Sequence, residues 1–123
     1  MEDGKMFIER RAHPRFQVDF PVRYCFVKDP SEAVAIREYG KKDVFALIRD
    51  ISLSGMKIEV KETMKVGDVL AFEIPLPGGA APILASAEVV WTDGNIGGLH
   101  FLIISEEDTA ALKAYLKKLG FRS

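Results

Sequence analysis

The stretch FQVDFPVRYCF, residues 16–26, alternates apolar and polar side chains. Its even positions are Phe, Val, Phe, Val, Tyr and Phe, whereas Gln17, Asp19 and Arg23 stand at odd positions. A period of two is typical of a β-strand that buries one face and exposes the other. These residues therefore predict a half-buried strand near the start of a β-rich fold.

Strand-like segments continue along the chain and are separated by turn sequences. The breaks SLSG, KVGD, PLPGGAAP and TDGN are rich in residues that favour turns. Six short strands predict an all-β fold, and we favour a closed antiparallel barrel because closure removes the exposed edges of an open sheet. The further segments are DVFALIRDI (43–51), MKIEV (56–60), VLAFEIPL (69–76), ILASAEVVW (83–91) and GLHFLII (98–104).

The last segment, SEEDTAALKAYLKKLGF, has the signature of an amphipathic helix over residues 105–119. Ser105 is a suitable N-cap with Asp108 three residues later, acids fill the first turn, and Gly120 follows lysines in the last turn. We expect the apolar stripe of this helix to pack against the barrel, although the same stripe could receive a partner protein. The stripe consists of Leu112, Tyr115, Leu116 and Leu119.

The chain has the size of one domain with a single core, at 123 residues and 48 % hydrophobic side chains. We expect residues 1–14 to form a flexible N-terminal arm and residues 15–123 to form the barrel with its helix. The charged segment 28–42 is longer than a tight hairpin requires, and it predicts a loop or a short surface helix.

The charge balance excludes a protein that is basic overall. There are 17 Lys and Arg residues against 18 Asp and Glu residues, which gives a formal net charge of −1. Residues 5–23 nevertheless hold five Lys or Arg residues against two acids, so positive charge is concentrated there. This pattern predicts a small anionic ligand and no nucleic acid polymer.

The sequence contains no recognisable catalytic or metal-binding motif. GxSxG, HExxH and a complete Walker loop are absent, and His13 and His100 lie far apart. The lone Cys25 excludes an internal disulfide framework and fits a reducing cytosol. No apolar segment approaches the ~20 residues that span a bilayer, and the N-terminus lacks the apolar core of a signal peptide. We therefore expect a cytoplasmic protein that is neither an enzyme nor inserted in a membrane.

Three conspicuous side chains receive structural interpretations. We expect Trp91 to lie in the barrel core, Cys25 to act as a small hydrophobe within a strand, and His100 to lie on a strand face. None of these positions needs a ligand to explain it.

The cluster ERRAHPR places Arg11 and Arg15 in an RxxxR pattern, with Arg10 beside them, just before the first strand. A guanidinium group donates two parallel hydrogen bonds to a phosphate or to O6 and N7 of guanine, and its flat face stacks on a purine. Alone, such a cluster is more often a solvated basic arm.

A second motif, DISLSG, holds Asp50, Ser52 and Gly55 at the junction of two predicted strands. A carboxylate accepts hydrogen bonds from N1–H and N2–H of guanine, a hydroxyl bonds to base or phosphate, and glycine permits close backbone approach. Alone, SLSG is an ordinary hairpin turn. Together, the two motifs describe a receptor for guanine and phosphate.

Three stretches resemble the successive signatures of one family, the PilZ domain, which is a bacterial receptor module for cyclic di-GMP. They are ERRAHPRFQVDFPVRY (9–24), RDISLSGMKIEV (49–60) and AEVVWTDGNIGGLHFL (87–102). The resemblance covers most of the chain, and the paired RxxxR and DxSxxG motifs are specific for this family when they occur in this order. It implies a six-stranded barrel with a flanking helix that binds cyclic di-GMP, and no cofactor, at one rim.

The resemblance also implies roles for the motif residues. Arg11 and Arg15 would grip guanine and phosphate from the N-terminal segment, while the DxSxxG residues would wrap another guanine edge. Arg10 is at the position that often favours a stacked pair of ligand molecules over one. The implied ligand contacts are Arg10, Arg11, Arg15, Asp50, Ser52 and Gly55, with Ser54 and Gly98 as possible additional contacts.

The resulting hypothesis is a stand-alone adaptor whose N-terminal arm is ordered by cyclic di-GMP and read by an unidentified downstream protein, in motility, exopolysaccharide or biofilm control. The alternative is a PilZ-like protein-interaction domain that does not bind nucleotide. A barrel that binds RNA or single-stranded DNA is disfavoured, because the aromatic residues alternate inward and no basic groove is indicated.

Overall fold

The computed structural model describes residues 15–28, 45–78 and 81–120 of the chain. They form a closed six-stranded antiparallel barrel followed by one helix, as the sequence predicted. The predicted arm, residues 1–14, and most of the predicted connection, 28–42, lie outside the described residues. The elements are β1 (Phe16–Val27), β2 (Phe45–Ile51), β3 (Gly55–Glu59), β4 (Val69–Ile74), β5 (Ile83–Asp93), β6 (Ile96–Ile104) and α1 (Glu106–Lys118).

The strands follow one another around the barrel in the order β1, β2, β3, β6, β5, β4. β1 is the longest strand, and it closes the barrel by pairing with β2 on one side and β4 on the other. The hairpin between β2 and β3 places the DISLSG motif at one rim. β6 lies next to that hairpin because it pairs with β3.

The alternation of β1 points its even residues into the barrel. Val22 and Tyr24 are buried there, and Phe26 is 40 % exposed near the end of the strand. The neighbouring strands contribute the remaining apolar layers of one continuous core. The largest fully buried side chains are Tyr24, Phe72, Ile48, Ile51, Met56, Ile58, Met64, Leu70, Ile74, Ile83 and Leu99.

Helix α1 packs on the barrel through the predicted apolar stripe. Ser105 caps the helix by accepting a hydrogen bond from the backbone N–H of Asp108, at 3.0 Å. The Asp108 carboxylate in turn accepts one from the backbone N–H of Leu84 in β5, at 3.1 Å, so the first turn of the helix is tied to the sheet. Leu112 and Leu116 are buried in the core cluster, which confirms the packing.

Within residues 15–28, 45–78 and 81–120, no helix has the length and apolar character that crossing a membrane requires.

Tyr24 is a buried residue with a polar tip. Its hydroxyl donates a hydrogen bond of 2.5 Å to Oε1 of Glu62, while the residue is only 2 % exposed. Burial raises the pKa of Tyr24 well above its ordinary value, and the hydrogen bond and negative charge of Glu62 raise it further. The barrel therefore favours the neutral phenol.

We expect Tyr24→Phe to reduce the pH dependence of stability in alkali. The hydroxyl of Tyr24 loses its proton near pH ~10 in the unfolded chain, whereas in the folded protein it keeps the proton to higher pH. The contribution of this residue to the free energy of unfolding is therefore fully present below pH ~10 and is lost as the pH rises toward the pKa of the folded state. At neutral pH the variant lacks one hydrogen bond, which should lower its free energy of unfolding by about 1 kcal/mol. Between pH 8 and about 11 it should lose less free energy of unfolding than the parent, measured by urea denaturation. An equal loss in both proteins would contradict this assignment.

Candidate functional site

Ser52 builds the turn between β2 and β3. Its backbone N–H donates to the carbonyl oxygen of Gly55 at 2.9 Å. Its hydroxyl oxygen accepts hydrogen bonds from the backbone N–H groups of Ser54 and Gly55, at 3.2 and 3.3 Å, and lies 3.1 Å from the Ser54 hydroxyl. Ser52 is fully buried and Ser54 is exposed. Ser52 thus holds the turn, while Ser54 is the serine of the motif that solvent reaches.

Gly55 allows β3 to pass very close to β6. A Cβ atom at this position would overlap the backbone oxygen of Leu99. The neighbouring backbone bond from Phe101 N–H to the Ser54 carbonyl oxygen, 2.9 Å, fixes the same approach. Gly55 is therefore required by the spacing of two backbones, which gives it a structural role.

The structure brings together one residue from each motif. Nε and Nη2 of Arg15 donate to Oδ1 of Asp50 at 2.9 and 2.5 Å, and the two side chains are only 25 % and 16 % exposed. Nζ of Lys57 lies 3.8 Å from the other oxygen, Oδ2. Asp50 is thus held between two cations. Arg10 and Arg11 lie outside the described residues.

A row of five residues crosses the outer face of the barrel at this level. Strand register pairs Gln17 with Asp50, Asp50 with Lys57, Lys57 with Gly98, and Gly98 with Trp91. Because neighbouring strands lie ~4.8 Å apart, the row is about 20 Å long. We call it the outer row. It presents an amide, a carboxylate, an ammonium group and an indole in sequence.

Trp91 belongs to this outer row, so the prediction that it lies in the core was wrong. The side chain is 45 % exposed, and a Cβ atom at Gly98 would overlap its indole. Simple alternation from the buried Val89 would point Trp91 inward, but a register shift in β5 between these two residues turns it outward. Gly98 is buried beneath the ring. His100 is exposed on β6, which confirms that it lies on a strand face, and Cys25 lies half-buried within strand β1.

A second irregularity positions Asp50. Ile48 and Ile51 are both buried, so the two residues between them share the outer side of β2. The register of β2 against β3 shifts between Ile48 and Asp50. Arg49 is consequently exposed next to Asp50, and it forms ion pairs with Glu59 at 2.9 Å and, more distantly, with Asp19 at 3.9 Å.

The surface beside Asp50 is concave. The concavity has a volume of about 550 Å³, which is within the range of sites for small ligands. It is open to solvent and mixes charged with apolar groups. Its lining consists of Gln17, Val18, Asp19, Arg49, Lys57 and Ile96.

The sequence motifs named Arg15 and Asp50, which the structure places in contact, but they gave no indication that Lys57 lies beside Asp50 or that Trp91 points outward. Lys57 is one of several lysines in an alternating strand, and only the register of β3 against β2 places it beside Asp50. The outward position of Trp91 follows from a bulge in β5, and no pattern in the sequence indicates that bulge.

The fold and site define a small β-barrel with a concave polar surface beside one hairpin. The PilZ family model matches residues 9–118, so the chain belongs to the PilZ domain family, a family of cyclic di-GMP receptors. PilZ domains are binding modules rather than enzymes.

Two solved structures share this fold. One is the inhibitor of motility MotI/DgrA from Bacillus subtilis, with a TM-score of 0.65 and 20 % identity over 91 % of this chain and 52 % of that one. The chain therefore spans about half the length of that protein. The other is the PilZ domain of CeSA from a cellulose-synthesizing bacterium, with a TM-score of 0.58 and 13 % identity over 86 % of this chain and 97 % of that one. A comparison with curated proteins finds no match.

The two glycines of the β3–β6 contact should differ in their tolerance of a side chain. Gly55→Ala forces apart two backbones, and we expect it to cost about 2 kcal/mol or more of unfolding free energy. Gly98→Ala meets a side chain that is 45 % exposed rather than a backbone, so we expect a loss of about 1 kcal/mol together with a shift of Trp91 fluorescence. Urea denaturation followed by fluorescence measures both, and the reverse order would contradict the packing described.

Proposed function

We propose that this chain is a receptor for cyclic di-GMP, which binds on the outer face of the barrel between the N-terminal segment and the β2–β3 hairpin. The observation that carries the proposal is the contact of Arg15 with Asp50, because it joins the phosphate-binding and guanine-binding motifs on one surface. Membership of the PilZ family supports the same ligand class.

Binding is an exchange of hydrogen bonds. In the free protein the Asp50 carboxylate accepts hydrogen bonds from two N–H groups of Arg15, at Nε and Nη2. The N1–H and N2–H groups of a guanine are neutral donors that fit the same carboxylate. Once displaced, the Arg15 guanidinium donates its fork to a phosphate of the ligand or to O6 and N7 of a guanine.

Other motif residues complete the proposed contacts. Arg10 and Arg11 supply further guanidinium groups from the N-terminal segment, and Arg10 favours a stacked pair of ligand molecules. Ser54 offers an exposed hydroxyl, whereas Ser52 and Gly55 keep the hairpin in the shape that presents Asp50. The Gly98 backbone lies under the Trp91 indole, so the proposed contribution of Gly98 is to leave the space that this ring occupies.

The proposed output is the position of the N-terminal segment. A ligand bridging this segment to the hairpin holds residues 1–14 against the barrel, and a downstream protein reads the difference between the two states. We propose that the chain acts in this way as a cytoplasmic adaptor in motility, exopolysaccharide or biofilm control. The structural likeness to an inhibitor of motility supports motility as one output.

A second candidate function is a PilZ-like protein-interaction domain that does not bind nucleotide. The observation that favours it is that Arg15 and Asp50 satisfy each other without a ligand. Calorimetry separates the two functions. Heat on titration with cyclic di-GMP, and none with GMP or cyclic di-AMP at the same concentrations, supports the receptor, whereas no heat at high micromolar ligand supports the interaction domain.

We expect Arg15→Ala to weaken cyclic di-GMP binding by tens-fold or more. The variant removes a charge-assisted fork from a partly buried site, which costs on the order of 2 to 5 kcal/mol. Isothermal calorimetry measures the loss. Lys65→Ala is the control, because it removes an exposed cation from the β3–β4 loop and should leave the affinity unchanged. A parental affinity in Arg15→Ala would show that this arginine does not hold the ligand.

Asp50→Asn tests guanine selectivity. An amide presents a donor group to the guanine N1–H and N2–H donors, so the variant should bind cyclic di-GMP about ten-fold or more weakly. Its preference for cyclic di-GMP over cyclic di-AMP should also shrink. Competition titrations against a fluorescent cyclic di-GMP measure both quantities, and a thermal melt checks that the variant folds. Unchanged selectivity would exclude Asp50 as the guanine acceptor.

A further inference from the structure

Lys57 belongs to neither motif, yet it stands beside Asp50 on the outer face of the barrel. The two residues are direct cross-strand partners of β2 and β3. Nζ of Lys57 lies 3.8 Å from Oδ2 of Asp50, and the Lys57 side chain is 40 % exposed. A molecule that binds the Asp50 carboxylate from solution therefore meets this ammonium group as well.

The surroundings of Lys57 form a ligand-sized surface. Lys57 lines the concavity of about 550 Å³ next to Asp50. On its other side the outer row continues to Gly98, whose outer face is covered by the Trp91 indole. In the outer row, Lys57 thus stands between Asp50 and the position covered by the exposed Trp91 ring.

The local charges distinguish Lys57 from its neighbour Arg49. Arg15 and Lys57 place two positive charges around the single negative charge of Asp50. Arg49, in contrast, lies between two acids, Asp19 and Glu59. The group centred on Asp50 consequently carries one excess positive charge in a chain whose net charge is −1. That excess is available to an anionic ligand.

We propose that Lys57 is a further ligand-binding residue of this site. When a guanine edge occupies the Asp50 carboxylate, the Lys57 ammonium group turns from Asp50 to a phosphate of the cyclic dinucleotide. A lysine suits this exchange because its charge sits on a flexible four-carbon stem and needs no fixed geometry. The inference rests on the proposed function, and it adds a cation from β3 to those that the N-terminal segment supplies.

The test compares three lysine variants by calorimetry with cyclic di-GMP. Lys57→Gln should bind about ten-fold more weakly than the parent. Lys57→Arg keeps the charge and should stay within about three-fold of the parent. Lys61→Gln makes the same charge change at an exposed position just after β3, and it should leave the affinity within about two-fold.

The salt dependence of binding separates a phosphate contact from a structural role. Salt screens the attraction between Lys57 and a phosphate, so raising the ionic strength should weaken the parent more than Lys57→Gln. If the parent binds and Lys57→Gln matches it in affinity and salt dependence, the role of Lys57 is overturned while the proposed function stands. If both Lys57 variants bind weakly with the parental salt dependence, Lys57 only positions Asp50 and the inference is wrong. If the parent gives no heat, both proposals fail.

Discussion

The backbone of β3 passes so close to β6 at Gly55 that a side chain there would overlap the carbonyl oxygen of Leu99. This approach determines where β3 begins and therefore where the β2–β3 hairpin lies. Ser52, fully buried, then locks the turn through its hydroxyl. The pairing of β2 with β3 also places Asp50 and Lys57 opposite each other on the outer face. The polar surface beside this hairpin is thus positioned by the strand pairing of the barrel beneath it.

The ion pair of Arg15 with Asp50 joins the start of β1 to this hairpin. Both side chains are more than half buried, and two guanidinium N–H groups converge on one carboxylate oxygen. A guanidinium group and a carboxylate that already satisfy each other make a poor site for a weak ligand, because that ligand must replace both sets of hydrogen bonds. A ligand that carries guanine donors and phosphate acceptors on one molecule replaces both at once. Under the proposed function, we therefore expect the pair to favour a guanine nucleotide over a simple anion or a free base.

Local sequence patterns predicted the elements of the fold, and they failed where the structure depends on pairing between distant strands. Alternation identified β1, and the capping pattern at Ser105 identified α1 nearly to the residue. The motifs pointed to Arg15 and Asp50 because both are marked by spacing along the chain. The proximity of Lys57 to Asp50 is a matter of register between strands, and strand register is specified by the whole barrel rather than by a short segment.

Trp91 shows how irregularities in the strands determine which side chains lie on the outer face of the barrel. A strict period of two would have pointed this ring into the core, and a bulge in β5 turns it outward. A second irregularity, in β2, leaves Arg49 and Asp50 together on the outer side between two buried isoleucines. Bulges disrupt the ladder locally and are retained where they re-aim a side chain. Two such irregularities determine residues of one outer row, the carboxylate and the indole, so both of these departures from regular strand geometry lie where the ligand is proposed to bind.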